Sequence, residues 1–79
     1  MCGIGGILDP KRSRSEDQTR RLLDLMSVPM RMRGPDAADT WADERAGIGF
    51  CHRRLAVVDL SKHGAQPMTS RSGRWVLTY

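Results

Sequence analysis

The sequence predicts an α+β fold, with one helix packed on a mainly antiparallel sheet. Three observations carry that expectation. A short apolar run rich in glycine and isoleucine opens the chain, Gly3-Ile4-Gly5-Gly6-Ile7-Leu8. A capped segment with apolar residues at helical spacing follows it. After Pro35 come several short segments of alternating or β-branched character, divided by glycine, proline and polar residues. The order strand, helix, strands, with no internal repeat, lays the helix against a sheet.

Residues 3–8 read as a buried strand whose glycines allow close backbone approach. Asp9-Pro10 breaks it, and residues 11–14 form a basic loop. Ser15 followed three residues later by Gln18 is a capping-box pattern. Glu16 and Asp17 then fall in the first turn, where the helix dipole favours negative charge. Leu22, Leu23 and Met26 mark one face at helical spacing, and Leu25 broadens it. The helix is expected over residues 16–27, because Pro29 disfavours the helical conformation at Val28. Met26, Met30 and Met32 are expected to fill core space. Gly34-Pro35-Asp36 signals a turn. Strands are expected at residues 40–42, at 46–51 with Ile48 and Phe50 on one face, and at 55–60. A polar loop covers 61–67, and residues 74–79 make a last strand. Nothing caps that strand, so the sequence reads as the amino-terminal piece of a longer protein.

The 79 residues carry a net charge of +4, and that length lies near the lower limit for one hydrophobic core. Positive charge gathers at Lys11, Arg12, Arg14, Arg20 and Arg21, and again at Arg31 and Arg33. The aromatics Trp41, Phe50, Trp75 and Tyr79 are not interleaved with it. A solvated loop and helix face therefore explains the charge better than a nucleic-acid surface. Cys2 and Cys51 make no disulfide framework, and no spacing fits a zinc site. The apolar start is too short for a signal peptide, and no run approaches the roughly 20 apolar residues of a membrane span. The expected protein is cytoplasmic, with no metal, nucleic-acid or membrane partner.

Cys2 is the first candidate for chemistry. Removal of Met1, plausible before a small side chain, leaves a thiol and a free α-amine on one residue. A nucleophile needs a base to take its proton, and α-amines and thiols titrate within about one unit of each other. One residue then supplies both. The competing reading is a cysteine that merely happens to stand second. Cys51-His52 suggests a Cys–His pair, but neighbouring strand residues face opposite sides. Cys51 is expected as a small buried hydrophobe and His52 as a structural residue.

Four segments change the weight of Cys2: Met1-Cys2-Gly3-Ile4, Arg33-Gly34-Pro35-Asp36, His52-Arg53-Arg54-Leu55-Ala56-Val57-Val58-Asp59-Leu60-Ser61, and Gly64-Ala65-Gln66-Pro67-Met68. In order and spacing they resemble the start of glutamine-hydrolysing asparagine synthetases, class II glutamine amidotransferases with an amino-terminal-nucleophile hydrolase domain. Pro35 favours these over phosphoribosyl-pyrophosphate and fructose-6-phosphate amidotransferases. The resemblance implies part of an α-β-β-α sandwich that hydrolyses glutamine. In the full-length enzyme, ammonia then passes to an ATP- and magnesium-using synthetase domain, absent from this sequence, which amidates aspartate or a related carboxylate. A homodimer is a candidate assembly for that protein.

By the same resemblance Cys2 is the nucleophile. Arg54 holds the glutamine α-carboxylate, for which a planar guanidinium suits two parallel hydrogen bonds. Arg53 faces the other way if the segment is extended. Val57 and Val58 line the glutamine pocket. Arg33 and Asp36 support it through a rigid turn, with a purely structural turn as the competing reading. Relatives carry a glycine soon after the Arg-Gly-Pro-Asp segment, where this chain has Ala37-Ala38-Asp39, and many continue a helix where it has Pro29. They also follow the last strand with an Asn-Gly-Glu oxyanion segment and an acidic residue for the substrate amine. Without these the 79 residues alone are expected to be inactive. The alternative reading is a non-catalytic remnant or regulatory module of the same fold.

Overall fold

The computed structural model describes residues 2–55 and 64–79. Strand β1 (Gly3–Leu8) leads through a loop into helix α1 (Glu16–Ser27) and a 3₁₀ turn at Val28–Met30. Strands β2 (Ala37–Asp43) and β3 (Ile48–Arg54) form a hairpin, and a short ribbon of β4 (Met68–Thr69) and β5 (Val76–Leu77) closes the described chain. The larger sheet has the order β1-β3-β2 and both its pairings are antiparallel. The fold is α+β, as the sequence predicts.

The helix begins where its cap dictates. The Gln18 amide donates to Ser15 Oγ at 3.2 Å, and the Ser15 amide donates to Gln18 Oε1 at 2.9 Å. Such a cap contributes about 1 kcal/mol. The helix ends at Ser27, as expected, but Val28 keeps helical dihedrals (φ −57°, ψ −47°) against the expectation, because Pro29 sits at the start of the tighter turn that follows, where its missing N–H is tolerated. Before the helix, burial raises the Asp9 carboxyl, but hydrogen bonds from the Ser13 side chain and amide and the Arg14 charge 3.7 Å away outweigh it. The net shift is downward.

The helix packs on one face of the sheet. Leu23 is fully buried against Ala42 and Cys51, with Ile7 and Met30 around them. Burying a leucine of this kind contributes about 1.5–3 kcal/mol. Gly3 and Gly5 face the helix side; Met30 fills the space a side chain on Gly3 would take, and Cys51 Sγ, 2.9 Å from a Cβ there, fills that of Gly5. Strand β1 is thus covered on one face only, and Ile4 and Leu8 are exposed on the other. The expectation of a buried strand is corrected accordingly, because alternate residues of a strand face opposite sides.

Two further corrections concern the helix stripe. Leu25 is 68% exposed and does not widen the apolar face, and Met32 is 88% exposed and fills no core. Leu25 lies off the face that Leu23 turns to the sheet, and Met32 stands in the turn beyond the helix. The turn signalled at Gly34-Pro35-Asp36 begins earlier, at residues 31–33, where the Arg33 and Gly34 amides donate to the Met30 carbonyl at 2.9 and 3.2 Å, and it ends in a bend at Asp36. Strand β2 is longer than residues 40–42, because the Asp36 amide already bonds to the Arg54 carbonyl at 2.9 Å and starts the ladder. The strand expected at 74–79 is reduced to β5, and β4 was not foreseen. Of the strand expected at 55–60, Leu55 lies just past β3, and the rest falls outside the described residues.

Candidate active site

Strand β3 is central in its sheet, and its last residues bring the candidate side chains together. The β1–β3 register sets Gly3 opposite Arg53, so one step further Cys2 comes alongside Arg54 and Leu55. There the Leu55 amide donates to Cys2 Sγ at 3.4 Å, and the Sγ–H points to the Leu55 carbonyl at 3.9 Å. The sulfur is half-buried. A backbone donor in contact with sulfur complements negative charge there.

Arg53 and Arg54 point to opposite faces, as alternation requires. The Arg53 Nε donates to the Ser27 carbonyl at 3.2 Å, on the helix side. Arg54 points to the other face. It lines a cavity of about 90 Å³ with His52, the start of β2 (Ala37, Ala38, Asp39), and Ala65 and Gln66. The register explains this company, since Ala37 stands opposite Arg54 and Asp39 opposite His52. Nucleophile candidate and guanidinium therefore share one end of one strand.

Two motif glycines serve close approach at that end. Gly34 is buried. A Cβ on it would overlap the Arg53 carbonyl group and stand 2.6 Å from the Arg54 nitrogen. The Arg-Gly-Pro-Asp segment thereby lies directly on the backbone that carries Arg54, with Arg33 and Asp36 exposed on either side. A Cβ on Gly64 would overlap Arg54 Nη2 and stand 2.7 Å from Cζ. Gly64 therefore leaves room for the guanidinium. The sequence flagged both glycines as motif members without giving either this role. The Leu55 amide is a contact that no side-chain pattern signals.

His52 is buried, with Nε2 2.9 Å from the Tyr79 carbonyl. Cys51, on the opposite face, is buried under the helix, and burial pushes its thiol up. The two cannot act on one atom. Val57 and Val58 fall outside the described residues. A larger, open concavity of about 370 Å³ lies at the far end of β2, lined by Glu16, Trp41, Asp43, Glu44 and Arg45 among others. It is bigger but remote from Cys2 and holds no nucleophile. Among the described residues, no three His, Cys, Asp or Glu side chains converge on a metal position. No helix among them is long and apolar enough to cross a membrane.

The fold thus brings a second-position cysteine against the end of the central strand, where Arg54 lines a cavity on one face. The family model of the glutamine amidotransferase domain matches residues 1–79. The chain belongs to that family. It is 35% identical over 77 residues to asparagine synthetase [glutamine-hydrolyzing] 2 of Bacillus subtilis, covering 98% of this chain and 10% of that protein. It is 34% identical over 70 residues to the putative asparagine synthetase [glutamine-hydrolyzing] 2 of Methanocaldococcus jannaschii, covering 86% and 13%. It is also 32% identical over 80 residues to amidase chry2 of Gibberella zeae, covering 92% and 12%. The chain thus spans about a tenth of the length of these curated relatives. No solved structure matches it.

Proposed function

We propose that this chain is the front part of a glutamine-hydrolysing domain within a larger, ATP-dependent enzyme that amidates aspartate or a related carboxylate. The single observation that carries the reading is the meeting of Cys2 Sγ with the Leu55 backbone, one residue beyond Arg54. It supports the reading of a thiol at the same end of β3 as Arg54, the proposed carboxylate anchor, as hydrolysis of an amino-acid side-chain amide needs.

In this reading, loss of Met1 frees the α-amine of Cys2, which takes the thiol proton. The thiolate attacks the δ-carbon of glutamine. The proton returns from the α-amine to the departing nitrogen, the C–N bond breaks, and ammonia leaves a γ-glutamyl thioester. Water then attacks the thioester carbon, the C–S bond breaks, and glutamate departs as the thiol is restored. Arg54 grips the α-carboxylate through two parallel hydrogen bonds and so fixes the distance from the head group to the sulfur. Val57 and Val58 line the pocket, and Arg33 and Asp36 support it through the segment that Gly34 seats on β3.

Residues 2–79 are one part of the amidotransferase domain in this reading, and the synthetase domain belongs to other sequence. The oxyanion donors that the resemblance implies also fall outside these residues. Loss of one such donor costs about 10²–10³ in rate, so the 79 residues by themselves are inactive. ATP and magnesium would supply adenylation of the acceptor carboxylate in the synthetase domain, and the described residues of this chain do not fit either group. The protein is cytoplasmic and assembles as a homodimer in this reading, with glutamine as its small-molecule partner. The decisive experiment is Cys2→Ala in the full-length protein. Ammonia release from glutamine is expected to fall by about 10³-fold or more, and release that persists overturns the proposal.

A further inference from the structure

We infer that His52 and Gln66 form a two-point clamp on Tyr79 that positions the wall of the Arg54 cavity, which makes both of them positioning residues for glutamine binding. The inference rests on the reading of Arg54 as the carboxylate anchor.

His52 is 1% exposed and Gln66 8% exposed. Each directs its polar group to the same backbone residue. The Tyr79 amide donates to Gln66 Oε1 at 2.7 Å, and His52 Nε2 lies 2.9 Å from the Tyr79 carbonyl. A carbonyl oxygen only accepts, so Nε2 carries the proton and donates. Buried polar side chains are costly unless paired. Here two of them converge on the donor and the acceptor of one residue.

The three partners come from separate parts of the chain. His52 lies on β3, Gln66 precedes β4, and Tyr79 follows β5. The clamp therefore fastens the β4–β5 ribbon to the face of the three-stranded sheet that the helix leaves open. It does so inside the cavity that Arg54 lines, since His52 and Gln66 are themselves part of its wall. His52 and Arg54 share a face two residues apart on β3. Gly64, against which the Arg54 guanidinium lies, is two residues from Gln66. Fixing Gln66 thus fixes the short segment that borders the guanidinium. Freeing it leaves the fork free to rotate away from the orientation that two parallel bonds to a carboxylate require.

The test is glutamine kinetics on the full-length protein. His52→Leu is expected to raise KM for glutamine about tenfold, with kcat within about threefold of wild type. His52→Gln, whose terminal NH₂ reaches the same acceptor, brings KM back to within about threefold of wild type. Gln66→Leu repeats the rise, and the double variant is no worse than either single one, because both act through Tyr79. Unchanged KM in both single variants, or a rise that His52→Gln leaves uncorrected, overturns the clamp. Should His52→Leu fail to fold, Gln66→Leu set against Gln66→Glu, which keeps an acceptor oxygen, makes the same comparison. Cys2→Ala run alongside separates the two ideas. Ammonia release that survives in Cys2→Ala overturns the hydrolase reading. Its loss there, with normal KM in the clamp variants, overturns the clamp alone.

Discussion

Gly64→Ala is expected to weaken glutamine binding while leaving the fold intact. The new methyl group would overlap Arg54 Nη2 and stand 2.7 Å from Cζ, about 0.7 Å inside the 3.4 Å at which ordinary contact begins. The obstacle is the far end of a flexible side chain, so the guanidinium swings away and the backbone stays in place. A displacement of that size breaks one of two parallel bonds to a carboxylate. A hydrogen bond to a charged group contributes roughly 1.5–3 kcal/mol, which at 1.4 kcal/mol per factor of ten raises KM about 10- to 150-fold. Folding stability stays within about 1 kcal/mol of wild type, since alanine also restricts the unfolded chain. Ammonia release against glutamine concentration gives KM on the full-length protein, and a denaturant midpoint on the same sample gives stability. A KM within twofold of wild type refutes the reasoning, as does a midpoint that falls in step with the KM rise.

Gly34→Ala is expected to do the reverse, because its obstacle is backbone. The Cβ would press on the Arg53 carbonyl and the Arg54 nitrogen and part the Asp36–Arg54 bond, for about 2–4 kcal/mol of lost stability; a denaturant midpoint that stays put contradicts this. Cys51 gives a pH prediction. Burial holds its thiol protonated above the ordinary value of 9.0, so in alkali the unfolded chain loses that proton first. Stability falls as pH rises through 9, and Cys51→Ala removes that component; equal alkaline slopes in the two proteins would count against it.

Much of the site was legible from the chain because its signals are local or lie in motif order. The start of the helix follows from Ser15 and Gln18, which act within one turn, whereas Pro29 marks only the change from α-helix to the tighter turn, since Val28 before it keeps helical dihedrals. The opposite facing of Arg53 and Arg54, and of Cys51 and His52, needs only the alternation of an extended backbone. The extent of β2 was not legible. Its first residues, Ala37, Ala38 and Asp39, have weak strand character and become strand by pairing with β3. Leu25 is exposed because apolar character alone does not say which side of a helix turns to the sheet, and Met32 because it stands in the turn beyond the helix.

Family membership, the helix with its cap, and part of β3 were readable in the chain, and Cys2 and Arg54 stood out as candidates. These rest on residue types at fixed short spacings. The three-dimensional packing alone shows that the Leu55 amide meets the sulfur, that Gly34 and Gly64 leave the space that β3 and Arg54 occupy, and that His52 and Gln66 close on Tyr79. Each of those contacts joins segments far apart in the chain, or backbone groups that every residue carries, so no local pattern of side chains can announce them.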